Sequence, residues 1–283
     1  MKVSGSYNGG ELRPLTTEEL PQTLSYLAAA PLRNLIIIGF LKSDGRCDDN
    51  TVFSFWKDGA YKGVGLLGSA AAWAGGVEVA RALGEKARES GTSQLNTVVG
   101  LTDEVEAFLQ ASRDNRSRKT ETHLLYVLRR GELNVPPPGP VSLRPARREE
   151  GEELFRIHSD LFFELVGSRL PEPENSKQRL LRRIESGKIW IACEQDKIVF
   201  KADLATETAE IVFIEAVWTI PDLRGQGIGL KALSALCAHL LDTHPMLVIS
   251  LGKDRSHLEH FYQRIGFKYH GDYGDYTVVR FKQ

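Results

Sequence analysis

Cysteine is scarce in this 283-residue sequence, and the few cysteines form no pattern. Cys47, Cys193 and Cys237 are odd in number and have no metal-ligand spacing. This usage argues against a disulfide framework and indicates reduced thiols. Long apolar runs are also missing: the start of the chain has no signal-peptide core, and the run 35–41 is too short to cross a bilayer. We therefore expect a cytoplasmic protein without membrane contact.

An excess of one charge sign is missing as well. The formal net charge is -1, which gives no long-range field that would attract nucleic acid or an anionic membrane. Two locally basic stretches, 144–148 and 179–183, are interpreted as solvated helix faces. His257 and His260 flank Glu259, but the His-Glu-x-x-His spacing of a zinc site is absent. We expect neither nucleic acid nor a metal ion among the ligands.

The chain is organised around the stretch 210–241. The β-branched and aromatic residues from Ile211 to Ile220 predict a buried strand, which Pro221 ends because proline cannot donate to a sheet ladder. From Leu230 onward apolar residues recur at three- and four-residue spacing, which predicts a helix. The sequence thus predicts a strand, a turn and a helix in succession.

The turn between them reads Arg224-Gly225-Gln226-Gly227-Ile228-Gly229. Glycines let the backbone approach a ligand closely and amides are free at a helix N-terminus, so the turn is suited to a phosphate. A dinucleotide-binding loop would open a βαβ unit early in a domain, with an acidic residue about 20 positions later. Here the turn comes late, and Asp242, the carboxylate nearest that spacing, ends a helix. The pattern therefore favours a different phosphate-bearing ligand.

Two motifs in the second half resemble the GNAT acyltransferase superfamily. Arg224, Gly227 and Gly229 match its acyl-CoA signature, and the segment 261–267, Phe-Tyr-Gln-Arg-Ile-Gly-Phe, is similar to its second signature. The resemblance covers residues 141–283. It implies an α/β (α+β) fold in which a mixed, mostly antiparallel sheet is flanked by helices.

The two halves of the chain show the same order of motifs. Leu12-Arg13-Pro14 and Leu143-Arg144-Pro145 each lead into a helical pattern, and a hairpin pattern follows at 52–67 and at 189–204. The proline-rich stretch 131–140 predicts a stiff linker. We therefore predict two GNAT-like domains, 1–130 and 141–283. The first has no Arg-x-x-Gly-x-Gly turn and resembles the degenerate N-terminal copy of tandem members of the superfamily.

Local patterns also predict how each half is completed. The stretch 68–76 is assigned no element and leads into a helix predicted from about Val77 to Arg88, and the polar stretch 112–120 is predicted to be a loop. The second half is predicted to end in a closing pair of strands at 267–270 and 275–282.

The resemblance implies how the turn and the strand before it would hold acetyl-CoA. The backbone of residues 217–219 would pair with the pantetheine arm, and the Thr219 amide would stabilise the oxyanion. The turn amides would hold the pyrophosphate, with Arg224 adding charge, although a core strand and a surface arginine are the simpler alternatives. The implied cofactor-binding residues are Val217, Trp218, Thr219, Arg224, Gly225, Gln226, Gly227, Ile228 and Gly229.

Two side chains are candidates for proton transfer. Glu215 interrupts an apolar strand, where a carboxylate is costly unless it is paired or faces a cleft; it is interpreted as a base, as a water-positioning group, or as one half of a structural ion pair. Tyr262 has the position of a tyrosine that protonates the departing thiolate in the family, or is an aromatic core residue.

Arg255 and Leu258 depart from the family pattern, which leaves the packing around the sulfur end of the arm open. The segment 162–164 falls where the family lines its acceptor site.

The implied activity is the transfer of an acetyl group from acetyl-CoA to a primary amine by direct attack in a ternary complex. Two alternatives stay open: a non-catalytic acyl-CoA-binding module, and an aminoacyl or long-chain acyl transferase of the same fold. A tRNA-using version would need a basic face that the charge balance does not provide. The acceptor amine and the oligomeric state, a homodimer included, are also open.

Overall fold

The computed structural model of the chain describes residues 5–7, 9–42, 51–91, 93–134, 142–167, 169–170, 173–272 and 274–281. Contacts divide it into two compact units. The first unit comprises Met1–Leu125, Ser250–Ser256 and Tyr269–Gln283, and the second comprises Tyr126–Ile249 and His257–Lys268. Residues 135–140 of the predicted linker lie outside the described ranges, and the division into 1–130 and 141–283 stays a prediction.

Strands predominate in the first half of the chain. In order, its elements are β1 Gly5–Tyr7, β2 Gly10–Pro14, α1 Leu20–Ala28, α2 Leu35–Lys42, β3 Thr51–Lys57, β4 Ala60–Leu67, β5 Ala70–Ala74, α3 Gly76–Ser90, β6 Thr97–Leu101, α4 Thr102–Ser112 and β7 Arg118–Arg129.

The second half alternates strands with longer helices. Its elements are β8 Leu143–Pro145, α5 Gly151–Val166, α6 Pro173–Glu185, β9 Ile189–Glu194, β10 Lys197–Glu207, β11 Ile211–Thr219, α7 Ile228–Leu241, β12 Met246–Gly252, α8 Glu259–Ile265, β13 Lys268–Tyr269 and β14 Tyr276–Phe281, with 3-10 turns at Arg148–Glu150, Pro221–Leu223 and Lys253–Leu258.

The first unit contains a mostly antiparallel sheet. Strands β1 to β5 pair antiparallel in chain order, β5 pairs parallel with β6, and β14 pairs antiparallel with both β6 and β7. The predicted closing pair of strands is therefore wrong, because β13 pairs with β7 while β14 lies between β6 and β7. Helices α3 and α4 pack on this sheet through a core that includes Leu83, Val98, Val105 and Phe108.

The second unit contains the strand, turn and helix around which the sequence is organised. Strands β8, β9, β10 and β11 pair antiparallel in that order, and β11 pairs parallel with β12. Helices α5 and α6 cover β9 through a core that includes Leu154, Ile157, Leu180 and Ile184. Helix α7 buries the apolar face that its three- and four-residue spacing predicts, including Leu233, Leu236, Cys237 and Leu240.

In the first half one strand was not predicted and one prediction was wrong. The stretch 68–76, which had been assigned no element, contains β5, whose alanine-rich sequence lacks the β-branched residues that signal a strand. The polar stretch 112–120 contains the start of β7, since that strand begins at Arg118. Within the described ranges, no helix combines the length and the apolarity needed to cross a bilayer.

Candidate active site

A bulge interrupts β11 just before its C-terminal end. Ala216 has φ 49°, which is unusual for a residue with a side chain. The β10–β11 register shifts at the same place, because Lys201 lies opposite Trp218 while Asp203 lies opposite Glu215, so β11 has one extra residue. The parallel register with β12 covers residues 211–214 of β11. The bulge therefore separates the part of β11 that pairs with β12 from the predicted pantetheine-binding residues.

The turn after β11 has a backbone that needs glycine. Gly225 and Gly227 have φ 79° and 82°, and an added Cβ at either position would meet no atom within 4 Å. Gly227 is the N-cap of α7, and no side chain among the described residues caps this helix. The first amides of a helix have no partner within the helix. The Gln226 amide donates to the Leu223 carbonyl at 3.4 Å, while the open space at Gly225 and Gly227 leaves room for an anion of phosphate size beside the helix N-terminus.

At the third glycine of the turn, Gly229, close packing and not backbone conformation accounts for the absence of a side chain. An added Cβ at Gly229 would lie 2.5 Å from Oγ1 of Thr219 and 3.8 Å from the Phe261 ring. Gly229 therefore allows the first turn of α7 to pack directly against the end of β11. This contact brings the predicted oxyanion residue, the predicted phosphate turn and the second signature segment together.

Arg224 links the turn to helix α5. Its Nε donates to the Thr219 carbonyl at 3.1 Å, and its Nη2 donates to both carboxylate oxygens of Glu164 at 3.1 Å. Both side chains are nearly half exposed, at 47% and 41%. Arg224 and the segment 162–164 were predicted for different substrates, and the structure joins them by an ion pair. Phe163 beside Glu164 is 59% exposed.

Glu215 belongs to a group of charged side chains under helix α6. Its carboxylate accepts a hydrogen bond from Nη1 of Arg183 at 3.0 Å, and the same Nη1 lies 3.6 Å from Asp203. Asp203 in turn accepts from Nζ of Lys201 at 2.5 Å, and these two side chains are almost completely buried. Glu215 therefore forms the ion pair that was one of its three interpretations, and its side chain is 41% exposed.

Burial and charge act in opposite directions on Arg183. Burial of the guanidinium favours its neutral form, but the carboxylates of Asp203 and Glu215 outweigh this effect, so the pKa of Arg183 is raised. Burial lowers the pKa of His158 on α5, and the Lys201 cation lowers it further. The group is thus a chain of alternating charges beside a neutral imidazole.

Tyr262 lies on α8, half-buried among aromatic rings. Its ring is 5.0 Å from that of Phe261 and 6.1 Å from that of Phe267, both edge to face. Its carbonyl accepts hydrogen bonds from the amides of Gly266 and Phe267, which end the helix. The ring of Tyr262 therefore packs as an aromatic core residue would, and the role of its hydroxyl stays a prediction.

Sequence reasoning missed three charged residues of this region. Arg183 was interpreted as part of a solvated helix face, and Lys201 and Asp203 were treated as ordinary strand positions. A signal was available, because Lys201 and Asp203 are the charged positions in an otherwise apolar strand from Ile198 to Leu204.

The equivalent helix start in the first unit has a different environment. Strand β5 leads through Gly75 directly into α3, without an intervening glycine loop. An added Cβ at Gly76 would lie 3.9 Å from Oε1 of Glu104. The Glu104 carboxylate is buried and accepts hydrogen bonds from Trp73 Nε1 at 2.8 Å and from Arg33 at 2.9 Å. An acidic side chain therefore lies beside the N-terminus of α3.

Comparison with known proteins agrees with this geometry. A family model described as acetyltransferase (GNAT) domain matches residues 185–269, which include the bulge, the turn and α8. The peptidyl-lysine N-acetyltransferase YjaB of Salmonella typhimurium is 30% identical in an alignment 147 residues long, which covers 46% of this chain and 86% of that protein. Its namesake in Escherichia coli is 29% identical over 133 residues, 46% and 84% of the two chains. The chain belongs to the GNAT acetyltransferase family.

As a GNAT protein the chain is an acyltransferase. It is also similar to a solved tandem GNAT protein from the clavulanic acid biosynthesis pathway, with 16% identity, a TM-score of 0.61, and coverage of 95% of this chain and 97% of that one. Identity this low shows a shared fold. The predicted fold class, a mixed and mostly antiparallel sheet flanked by helices, is confirmed. Among the described residues no group of three or more His, Cys, Asp or Glu side chains is arranged to hold a metal ion.

Proposed function

We propose that this GNAT protein transfers the acetyl group of acetyl-CoA to a primary amine by direct attack in a ternary complex. The observation that carries the proposal is the bulged end of β11, followed after the short 3-10 turn Pro221–Leu223 by the glycine turn and the N-terminus of α7, which has no side-chain cap among the described residues. The family uses acetyl-CoA, and the two glycines with open space fit a closely approaching pyrophosphate. Because both relatives carry the name peptidyl-lysine N-acetyltransferase, the lysine ε-amine of a peptide is the acceptor that we propose.

The cofactor is held mainly by backbone groups in this proposal. Residues 217–219 pair with the pantetheine arm, and the amides of residues 226–229 bind the pyrophosphate. The Thr219 amide donates to the thioester oxygen and gains strength as negative charge develops there. Such contacts are independent of side-chain chemistry, so positions 225 and 227 require only a residue that tolerates the left-handed backbone and leaves the ligand room.

The chemistry requires two proton transfers. The amine nitrogen attacks the thioester carbon, and the C–S bond breaks as the tetrahedral intermediate collapses to the amide. Glu215 takes the proton of the amine, directly or through water, and the Tyr262 hydroxyl gives a proton to the departing thiolate. Glu215 suits the first role because its carboxylate is fixed by an arginine yet partly exposed.

We further propose that one acetyl-CoA binds per chain, in the second half. In the first half the Glu104 carboxylate lies beside the helix start where a pyrophosphate would otherwise bind, and like charges in such a site repel. Residues 1–130 would then bind no cofactor.

Titration calorimetry with acetyl-CoA tests the site. Gly227→Glu places a carboxylate in the turn and is expected to abolish binding. Gly227→Asn is the matched control, because asparagine tolerates the left-handed backbone and adds no charge. It is expected to bind within about tenfold of the original protein, a change of about 1.4 kcal/mol. Two equal sites per chain, or unchanged binding by Gly227→Glu, would contradict the proposal.

A further inference from the structure

The interior of the second unit contains an ion pair that packing alone does not require. The side chains of Lys201 and Asp203 are 0% and 1% exposed, and both lie on β10, two residues apart. Removing charges from water is costly, and a buried ion pair is often no more stabilising than apolar residues of the same volume. Stability is therefore a poor explanation for these charges at the centre of a sheet.

The buried pair is connected to the proposed base by one side chain. Arg183 reaches from α6 to the sheet and lies 3.6 Å from Asp203 and 3.0 Å from Glu215. The strand register explains why one guanidinium contacts both carboxylates, since Asp203 and Glu215 are direct neighbours across β10 and β11. Lys201 and Asp203 form the buried end of this chain of charges, and Arg183 lies between Asp203 and Glu215 and interacts with both carboxylates.

The orientation of the Glu215 side chain depends on the backbone geometry around it. It directly precedes Ala216, whose left-handed backbone creates the bulge. A carboxylate at a bulge is aimed by local backbone geometry and by its partners, because the regular ladder is broken there. Arg183 holds one oxygen, Oε1, so the second oxygen has a defined direction.

We propose that Arg183 is a positioning residue that fixes Glu215 for catalysis, with the buried pair Lys201–Asp203 holding Arg183 in place. This inference rests on the proposed function, in which Glu215 accepts the proton of the amine. Around the contact, the charged and titratable groups are His158 on α5, Arg179 and Arg183 on α6, Lys201 and Asp203 on β10, and Glu215 on β11.

The kinetic test compares Arg183→Gln, Arg183→Lys and Glu215→Gln, with Arg182→Gln as the matched control. Arg182 is the exposed neighbour on the same helix. The kcat/KM for acetyl-CoA and a lysine-containing peptide is measured from pH 5 to 10. Arg183→Gln is expected to lower it by about ten- to a hundredfold and to move the acidic limb of the profile to higher pH. Arg183→Lys restores part of the rate, and Arg182→Gln behaves as the original protein.

A double variant separates positioning from a general structural role. If Arg183 acts through Glu215, Arg183→Gln adds little to the loss already caused by Glu215→Gln. An equal loss in both backgrounds, or a loss without movement of the acidic limb, would overturn the inference. Wild-type rates for Glu215→Gln would instead refute the base assignment in the proposed function.

A measurement without turnover keeps the inference testable if the peptide is not an acceptor. The side-chain carboxyl carbon of Glu215 is followed by 13C NMR against pH, with its signal assigned by its absence in Glu215→Gln. In Arg183→Gln the chemical shift of this carbon is expected to change throughout the pH range, because the hydrogen bond from Nη1 to Oε1 is lost. An unchanged chemical shift would show that Arg183 does not act on Glu215, whatever the acceptor.

Discussion

At the scale of single residues, the ring and the hydroxyl group of Tyr262 have separate roles that one substitution can distinguish. Its ring packs edge to face between Phe261 and Phe267, which phenylalanine would reproduce. A hydroxyl that serves only as proton donor to the thiolate acts mainly in the transition state.

We expect Tyr262→Phe to lower kcat by roughly ten- to a thousandfold and to leave acetyl-CoA affinity nearly unchanged. Thermal unfolding should also be nearly unchanged, because the ring is kept. Steady-state kinetics with a lysine peptide, combined with calorimetry, measures both quantities. A kcat equal to that of the original protein would remove Tyr262 from the mechanism and leave it as an aromatic core residue of α8.

At the scale of elements, the sequence predicted best where a local pattern determines the outcome. The apolar run before Pro221 and the spacing after Leu230 predicted β11 and α7 closely. Strand β5 escaped prediction because alanine carries no strand signal, and the partners of β14 escaped because alternation within a strand does not encode which strand it joins. The bulge at Ala216 escaped for the same reason, since it is a property of the β10–β11 register.

Arg224 shows how tertiary contacts change the interpretation of a motif. Its guanidinium connects the end of β11 with the last turns of α5, through the Thr219 carbonyl and Glu164. Because both charged side chains are nearly half exposed, the ion pair should contribute less than about 1 kcal/mol to stability. Glu164 would then compete with a pyrophosphate for Arg224.

We expect Arg224→Gln to weaken acetyl-CoA binding by about fivefold, or about 1 kcal/mol. Glu164→Gln should bind as tightly as the original protein or severalfold more tightly, because a competing carboxylate is lost. Glu174→Gln, an exposed change on α6, is the control for removing one negative charge from the same unit. Equal weakening by Arg224→Gln and Glu164→Gln would show that the ion pair itself, and not Arg224 alone, supports the site.

At the scale of the whole molecule, chain order and spatial grouping differ. The last strand, β14, pairs with β6 and β7 of the first unit, although the segment before it carries the second signature. A boundary read from a proline-rich stretch marks where the backbone is stiff, and it does not report which residues pack together. Motif order therefore predicted the family and fold, while the grouping of residues 269–283 depended on long-range pairing.

Each unit contains one half-buried histidine with a lowered pKa, and this gives the whole molecule a common response to acid. Burial lowers the pKa of His123 in the first unit and of His158 in the second below the ordinary 6.5. Nδ1 of His123 lies 3.0 Å from the Ser250 hydroxyl, and Nδ1 of His158 is buried without a partner among the described residues. As the pH falls through 6.5, the unfolded chain binds a proton at each histidine while the folded protein resists it.

The free energy of unfolding should therefore decrease from pH 7 to pH 5, with each histidine contributing at most about 1.4 kcal/mol per pH unit. Above pH 7 both histidines are neutral in the folded and the unfolded chain, so this contribution to stability is fully present and constant.

His158→Gln and His123→Gln should each flatten the decrease between pH 7 and 5 and leave the dependence between pH 7 and 8 parallel to that of the original protein. Urea unfolding followed by circular dichroism at half-unit pH intervals measures these slopes. If both variants lose stability between pH 7 and 5 as steeply as the original protein, the acid response must come from other groups, and the two imidazoles must accept protons in the folded state without cost.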